Sequence, residues 1–206
     1  MRKNKKERKR IKRERIKNKR LVKKYRFLKP YNVWTGKIWK GYKYETTWAD
    51  DLPKGWIKAF GILMFDEINE ALKKTNGTIY IEQVKEKWGR ATIYCQAPRE
   101  VRDIIEDYST LSENICVRCG KPDVPMIDTG WMSPVCKECF EHNQRTNKWA
   151  PSGKYEDYIV SKDPNMASER KWRQFGVGDN GWVDMSKDIS DKANKIRAKY
   201  RKDHKC

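Results

Sequence analysis

Two pairs of cysteines constrain this 206-residue chain more than any other feature: Cys116-Val-Arg-Cys119-Gly120 and, after 16 intervening residues, Cys136-Lys-Glu-Cys139. A CxxC turn aims both sulfurs to one side, and two such turns at this separation carry the tetrahedral four-thiolate signature of zinc, with Zn–S of about 2.3 Å. Gly130 and Pro134 supply bend points for the excursion, and the second pair runs into Phe140-Glu-His-Asn-Gln-Arg-Thr-Asn, which reads as a helix. A knuckle, a hairpin and then a helix whose first turn holds the last two ligands is treble-clef architecture; a zinc ribbon would put the second knuckle on a hairpin instead. Four protein thiolates leave no open position for a water, so one structural Zn²⁺ on Cys116, Cys119, Cys136 and Cys139 is expected to serve fold and binding rather than catalysis. Arg118, Lys121, Lys137 and backbone N–H groups are positioned to offset the excess negative charge of the thiolates.

Disulfides are the alternative use of cysteine. They suit an oxidising compartment, and nothing in the chain points there. The basic N-terminus is followed by no apolar stretch of the secretory kind. The longest apolar run, Ile62-Leu63-Met64-Phe65, is far too short for a bilayer. A cytoplasmic location is therefore expected. Cys95 falls in a β-rich segment and reads as a small core residue, and Cys206 has no assigned role.

Charge is the second constraint. The chain carries 47 Lys and Arg against 28 Asp and Glu, a net of +19. Residues 1–29 hold 17 of those cations against Glu7 and Glu14, so +15 lies in this segment and only +4 is left for the other 177 residues. The large apolar residues of the segment, Ile11, Ile16, Leu21, Val22, Phe27 and Leu28, follow neither the helical nor the strand period, so like-charge repulsion predicts a disordered arm over 1–29. Such an arm seeks a polyanion. The candidate phosphate contacts are Arg2, Lys3, Lys5, Lys6, Arg8, Lys9 and Arg10, then Lys12, Arg13, Arg15, Lys17 and Lys19, then Arg20, Lys23 and Lys24. An anionic membrane surface is the competing polyanion, and it lacks a lipidation motif or a strong apolar helix face. Removing the first 24 residues is expected to abolish binding while leaving thermal stability nearly unchanged.

Between these features the pattern is α+β. Tyr31 to Trp48 strings aromatic residues between Lys37, Lys40 and Lys43 and reads as a β-ribbon or extended arm. Its aromatic faces could stack exposed bases; the favoured reading is that Trp34, Trp39 and Trp48 clamp the arm on the core. Ile57, Phe60, Met64, Ile68 and Leu72 recur at three- and four-residue steps, marking one face of a helix from about Lys54 to Lys74, with Asn76-Gly77 as its stop. Residues 78–84 and 91–95 are β-rich with Trp88-Gly89 between them, which predicts a hairpin. Pro98 opens a second helix faced by Val101, Ile104, Ile105, Tyr108 and Leu111. The resulting α-β-β-α order predicts two helices covering a small antiparallel sheet. Residues 148–164 read as a loop and Met166 to Phe175 as a short helix. Met185, Ile189, Ala193, Ile196 and Tyr200 mark a C-terminal amphipathic helix whose outer face carries Lys192, Lys195, Arg197, Lys199 and Arg201. The expected divisions are thus 1–29, 30–112, 113–148 and 149–206.

Catalytic candidates are few. His142 and His204 are the only histidines, neither beside a nucleophile-elbow motif, and Gly176, Gly178 and Gly181 fit no phosphate-loop spacing. HNH-type nucleases also use a treble clef braced by CxxC pairs, but they need a histidine base, and residues 120–135 contain none. Glu82, Lys85, Glu86 and Lys87 in the hairpin do not follow a carboxylate–metal nuclease pattern and read as a solvated strand face.

The stretch from Gly55-Trp56 to Phe140 resembles an uncharacterised group of small phage and prophage proteins. The residues that carry the resemblance are Gly55-Trp56, the run from Gln83 to Gly89, Ile93-Tyr94, Leu111-Ser112, Cys116-x-x-Cys119-Gly120-Lys-Pro, Gly130-Trp131 and Cys136-x-x-Cys139. The resemblance implies an α-β-β-α module joined to a four-cysteine zinc finger, and no activity. The expected function is a non-enzymatic nucleic-acid-binding protein of phage type, its partner DNA or RNA, acting in the host cytoplasm if viral. The alternatives are an accessory protein docking on a host nucleoprotein machine and a degenerate HNH-like nuclease.

Overall fold

The structure of the protein is a computed structural model, which describes residues 4–32, 34–38, 40–160 and 187–204. The expected helix over 166–175, along with Arg2, Lys3, Trp39, Met185 and Cys206, lies outside them. The chain is a mixed α+β structure with two small antiparallel sheets.

The N-terminal segment departs from expectation: it is a helix, α1, over Lys5–Lys24. Asn4 caps it, its side-chain oxygen accepting from the Glu7 N–H at 2.9 Å. Glu7 in the first turn and Lys23 and Lys24 in the last suit the helix dipole. The side facing the body is Ile11, Arg15, Asn18, Val22 and Tyr25, at alternating four- and three-residue steps. Asn18, 5% exposed, donates through Nδ2 to the carbonyls of Tyr44 and Glu45 at 3.2 and 3.3 Å. The helical period exists, but polar residues carry half of it, so a search for apolar periodicity misses it. Beyond the helix Tyr25 and Leu28 enter the main core.

The segment from Lys54 is helical as expected, with one insertion. It runs as α2 (Lys54–Trp56), a π turn (Ile57–Gly61) and α3 (Ile62–Thr75). The π turn admits an extra residue and loosens the carbonyl ladder. Two of the carbonyls it holds, Lys58 and Ala59, accept from Lys199 Nζ at 2.6 and 3.2 Å. Asn76, with φ 47°, closes α3. Next come β1 (Tyr80–Lys87) and β2 (Arg90–Gln96), paired antiparallel with Lys87 opposite Arg90. The two-residue turn between them, Trp88-Gly89, has positive φ at both positions, as the right-handed strand twist requires. Helix α4 (Arg99–Ser112) crosses the sheet. Trp56, Phe60 and Tyr108 stack in series at the centre, with centroids 6.5 and 5.4 Å apart. Of the aromatic arm, Trp48 packs against this core, whereas Trp34 is 92% exposed.

The last helix, α6 (Lys187–Asp203), buries Ile189, Ala193 and Ile196 as expected. Its basic outer face needs correction. Lys192 is 4% exposed, donates to Asp107 and lies 3.4 Å from Glu67 and 3.1 Å from Asp188. Arg197 makes a forked contact with Asp123, and Lys199 caps the π turn. Three of the five expected surface cations therefore hold the helix to the body.

At the end of α4, Glu113 lies 3.3 Å from Arg90. Burial pushes its carboxyl up from 4.5 to about 7, with Arg90 opposing and Glu106 adding to the shift. The folded state then holds this proton more tightly than the unfolded chain. Its contribution is full below about pH 4.5 and is lost as pH rises towards 7. Relative to Glu113→Gln, urea unfolding should show the native chain losing on the order of 3 kcal/mol across that window. Parallel profiles for the two proteins would contradict it.

Candidate metal centre and basic helix

The second sheet and its helix assemble the cysteines. Strands β3 (Met126–Asp128) and β4 (Met132–Pro134) form a hairpin, followed by α5 (Lys137–Thr146). The first knuckle is tied by Gly120 N–H to Cys116 O at 2.9 Å and Cys116 N–H to Lys121 O at 2.8 Å. Val117 N–H reaches Pro134 O at 2.9 Å, so the end of β4 delivers the second pair beside the first. Cys136 is the N-cap of α5, and Cys139 sits in its first turn. The helix dipole therefore points its positive end at the sulfurs.

The four Sγ atoms all lie within 4.8 Å of one another, Cys116 and Cys136 buried and Cys119 and Cys139 half-buried. Cys119 Sγ and Cys136 Sγ are 3.6 Å apart. A tetrahedral site with Zn–S of about 2.3 Å has S···S edges of about 3.8 Å, whereas a disulfide bond measures about 2.05 Å. All four cysteines are free thiols. The donor set thus fits one four-coordinate structural metal ion. Among the described residues these are the only side chains grouped in this way.

The local electrostatics favour thiolate at one corner. Burial pushes the Cys116 thiol up, but N–H groups of Cys119, Cys136 and Arg118 outweigh it and hold the thiol below its ordinary value. Burial pushes Cys139 up to about 12 and Cys136 up as well, so metal binding must displace those protons. The lysines expected to offset the thiolate charge have other partners. Lys121 bonds Glu138 at 2.7 Å, and that bond holds the Glu138 carboxyl down at about 2. Lys137 bonds Glu156 at 2.7 Å. The unit also extends past the expected boundary at 148. Tyr155, in a short 3-10 turn over Tyr155–Tyr158, packs on Phe140 and donates to Val135 O at 2.7 Å.

Two contacts went unseen in the sequence. Trp88 and Trp131, at the tips of the two hairpins, stack 5.7 Å apart at 11°. Glu86 joins them: one oxygen accepts from Gly89 N–H at 2.5 Å and the other from Trp131 Nε1 at 2.7 Å. Glu86 is thus a hairpin brace rather than part of a solvated face. The matched Trp-Gly and Gly-Trp pairs were the available signal. Neither histidine joins the cysteine cluster: His142 is exposed on α5, and His204 contacts Lys58 at 3.1 Å.

No family model matches the chain, and no curated protein or solved structure matches it either. Its function has to be read from its own geometry.

The candidate phosphate contacts lie along α1. Lys5, Lys6, Arg8, Lys9, Arg10, Lys12, Arg13, Lys17, Lys19, Arg20 and Lys23 are exposed. Arg15 pairs with Glu45 at 2.8 Å and Lys24 with Asp66 at 2.7 Å. Among the described residues no carboxylate forms an ion pair with any of the others on this helix. No described helix is long and apolar enough to cross a membrane.

Proposed function

We propose that this chain is a non-enzymatic nucleic-acid-binding protein of which the four-cysteine unit is a treble-clef zinc finger. The observation that carries the reading is the unpaired charge of α1: a 20-residue helix presents cations around most of its circumference, and among the described residues the body supplies acidic partners for only two of them. Self-repulsion along such a helix is relieved by a polyanion, and each phosphate contact releases condensed counterions. The metal serves this role indirectly. It orders a short hairpin and helix that could not bury enough surface alone, and the ordered unit meets the body at its first knuckle, where Gly55 N–H donates to Val117 O at 3.0 Å.

The buried side of α1 changes the design of the test. Deleting residues 1–24 would remove Asn18 and Val22, both buried, so loss of binding could follow from loss of fold. The exposed side opposite them carries Lys6, Lys9, Arg13, Lys17 and Arg20. Replacing these five by Gln is expected to leave the melting temperature within a few degrees while cutting affinity for labelled DNA and RNA. The log–log salt slope should flatten by about 0.7–0.9 for each phosphate that is no longer neutralised. An unchanged slope in fluorescence anisotropy titrations would refute phosphate contact by this side of the helix.

A further inference from the structure

Between α1 and the later part of the aromatic arm runs an open groove of about 700 Å³. Arg8, Lys12 and Lys19 line one wall with Ile16 among them, and Tyr42 and Tyr44 line the other. We propose that this groove binds single-stranded nucleic acid, its phosphates on Arg8, Lys12 and Lys19 and an unstacked base against the tyrosine rings. The proposal rests on the nucleic-acid reading above and narrows it to one strand and one surface.

Three observations converge on that occupant. The first is charge. Among the described residues no acidic side chain lines the groove, and Glu45, the nearest acid of the loop, is occupied by Arg15 at 2.8 Å. The second is spacing. Arg8 and Lys12 are four residues apart, a rise of about 6 Å, and Lys19 continues the same face two turns later. A row of cations at that pitch suits a repeating backbone charge. The third is that the aromatic wall is already placed. Asn18 holds the carbonyls of Tyr44 and Glu45, Glu45 accepts from Lys43 N–H at 2.8 Å, and Tyr42 donates to Thr46 O at 2.5 Å. Tyr42 and Tyr44 are half-buried and stand 5.1 Å apart at 54° as a tilted pair, with Lys29 Nζ 5.6 Å from the Tyr42 ring centroid, so the aromatic wall already has a cation beside it. Loop order of this kind removes a cost otherwise incurred on binding. Bases in a duplex keep their faces stacked, so only a single strand can use rings and cations together.

Fluorescein-labelled rU12, dT12 and a 12-base-pair DNA duplex, titrated against the full-length zinc-loaded chain, test the proposal. Tyr42→Ala and Tyr44→Ala should each weaken single-strand binding on the order of tenfold and leave duplex binding unchanged. Circular dichroism melts of both variants verify that the fold survives. Equal losses on single strand and duplex, or no loss on either, would overturn the groove while leaving the reading of α1 intact. Absence of any nucleic-acid binding by the native chain would overturn both. If an acidic amphipathic peptide binds tightly, is not displaced by rU12 and loses affinity in the Tyr44→Ala chain, the groove is a protein site and the proposal fails. A tighter hold on rU12 than on dT12, or the reverse, supports the groove and identifies which strand chemistry it takes.

Discussion

Serine at Cys116 or at Cys139 should release the metal and unfold the unit from Cys116 to Tyr158, leaving the main core assembled. Cys116 is fully buried, and its Sγ accepts from Cys136 N–H at 3.4 Å as well as serving as ligand. A structural zinc contributes an apparent 10–16 kcal/mol or so of folding free energy at neutral pH, as much as the whole net stability of an ordinary domain. The unit has little else to hold it: three-residue strands, a ten-residue helix and a separate cluster around Val124, Ile127, Val135, Phe140 and Tyr155. The main core, centred on Trp56, Phe60 and Tyr108, contains none of the four ligands. Zinc content by mass spectrometry should fall to background in both variants, with partial loss of ellipticity, and a chelator should reproduce the change in the native chain. Cys95→Ser is the control; Cys95 lies half-buried in β2, away from the cluster. A full complement of zinc in both ligand variants would sink the site.

The success and failure of sequence reading here have physical causes. The ligands were legible because a CxxC turn is a local geometry, and the 16-residue return merely has to close. The helix faced by Phe60, Met64 and Ile68 and the hairpin turning at Trp88-Gly89 were legible because their periods are carried by apolar or turn-forming residues. Helix α1 was not, because Arg15 and Asn18 occupy inward positions and the helix is held by hydrogen bonds to a loop 26 and 27 residues away. The inward lysine of α6 was equally hidden. Lys192 is buried because Asp107, 85 residues earlier, and Glu67 wait for it, and no local pattern records such distant partners. Charge totals survive this correction, but charge location does not: Lys192, Arg197 and Lys199 turn to the body, while the cations of α1 other than Arg15 and Lys24 remain outward.

The joint between the two cores rests on a glycine, and Gly55→Ala should disrupt it. The first turn of α2 lies flat against the knuckle, where Gly55 N–H donates to Val117 O at 3.0 Å. A methyl group at Gly55 would stand 2.2 Å from Cys116 O, 2.6 Å from Val117 C and 2.7 Å from Val117 O. All three are backbone atoms, so no side chain can rotate to make room. Gly120 repeats the constraint from the other side, with φ 83° and a prospective Cβ 2.6 Å from Gly55 O. Either α2 lifts away, breaking the bond from Trp56 Nε1 to Ile115 O, or the knuckle shifts and the sulfur of Cys116 leaves its corner. Overpacking of this kind typically costs about 1–3 kcal/mol and more where nothing can yield; the expected loss is on the order of 4 kcal/mol. Faster zinc release to a colorimetric chelator should accompany it, because the strain falls on a ligand's own carbonyl. Gly36→Ala separates crowding from backbone strain. Its φ is 64° with no atom within 4 Å, so it should cost only the 1–2 kcal/mol or so of a left-handed residue and leave zinc release unchanged. Equal effects of the two substitutions on melting and metal release would mean that the helix and the knuckle are not in the close contact described.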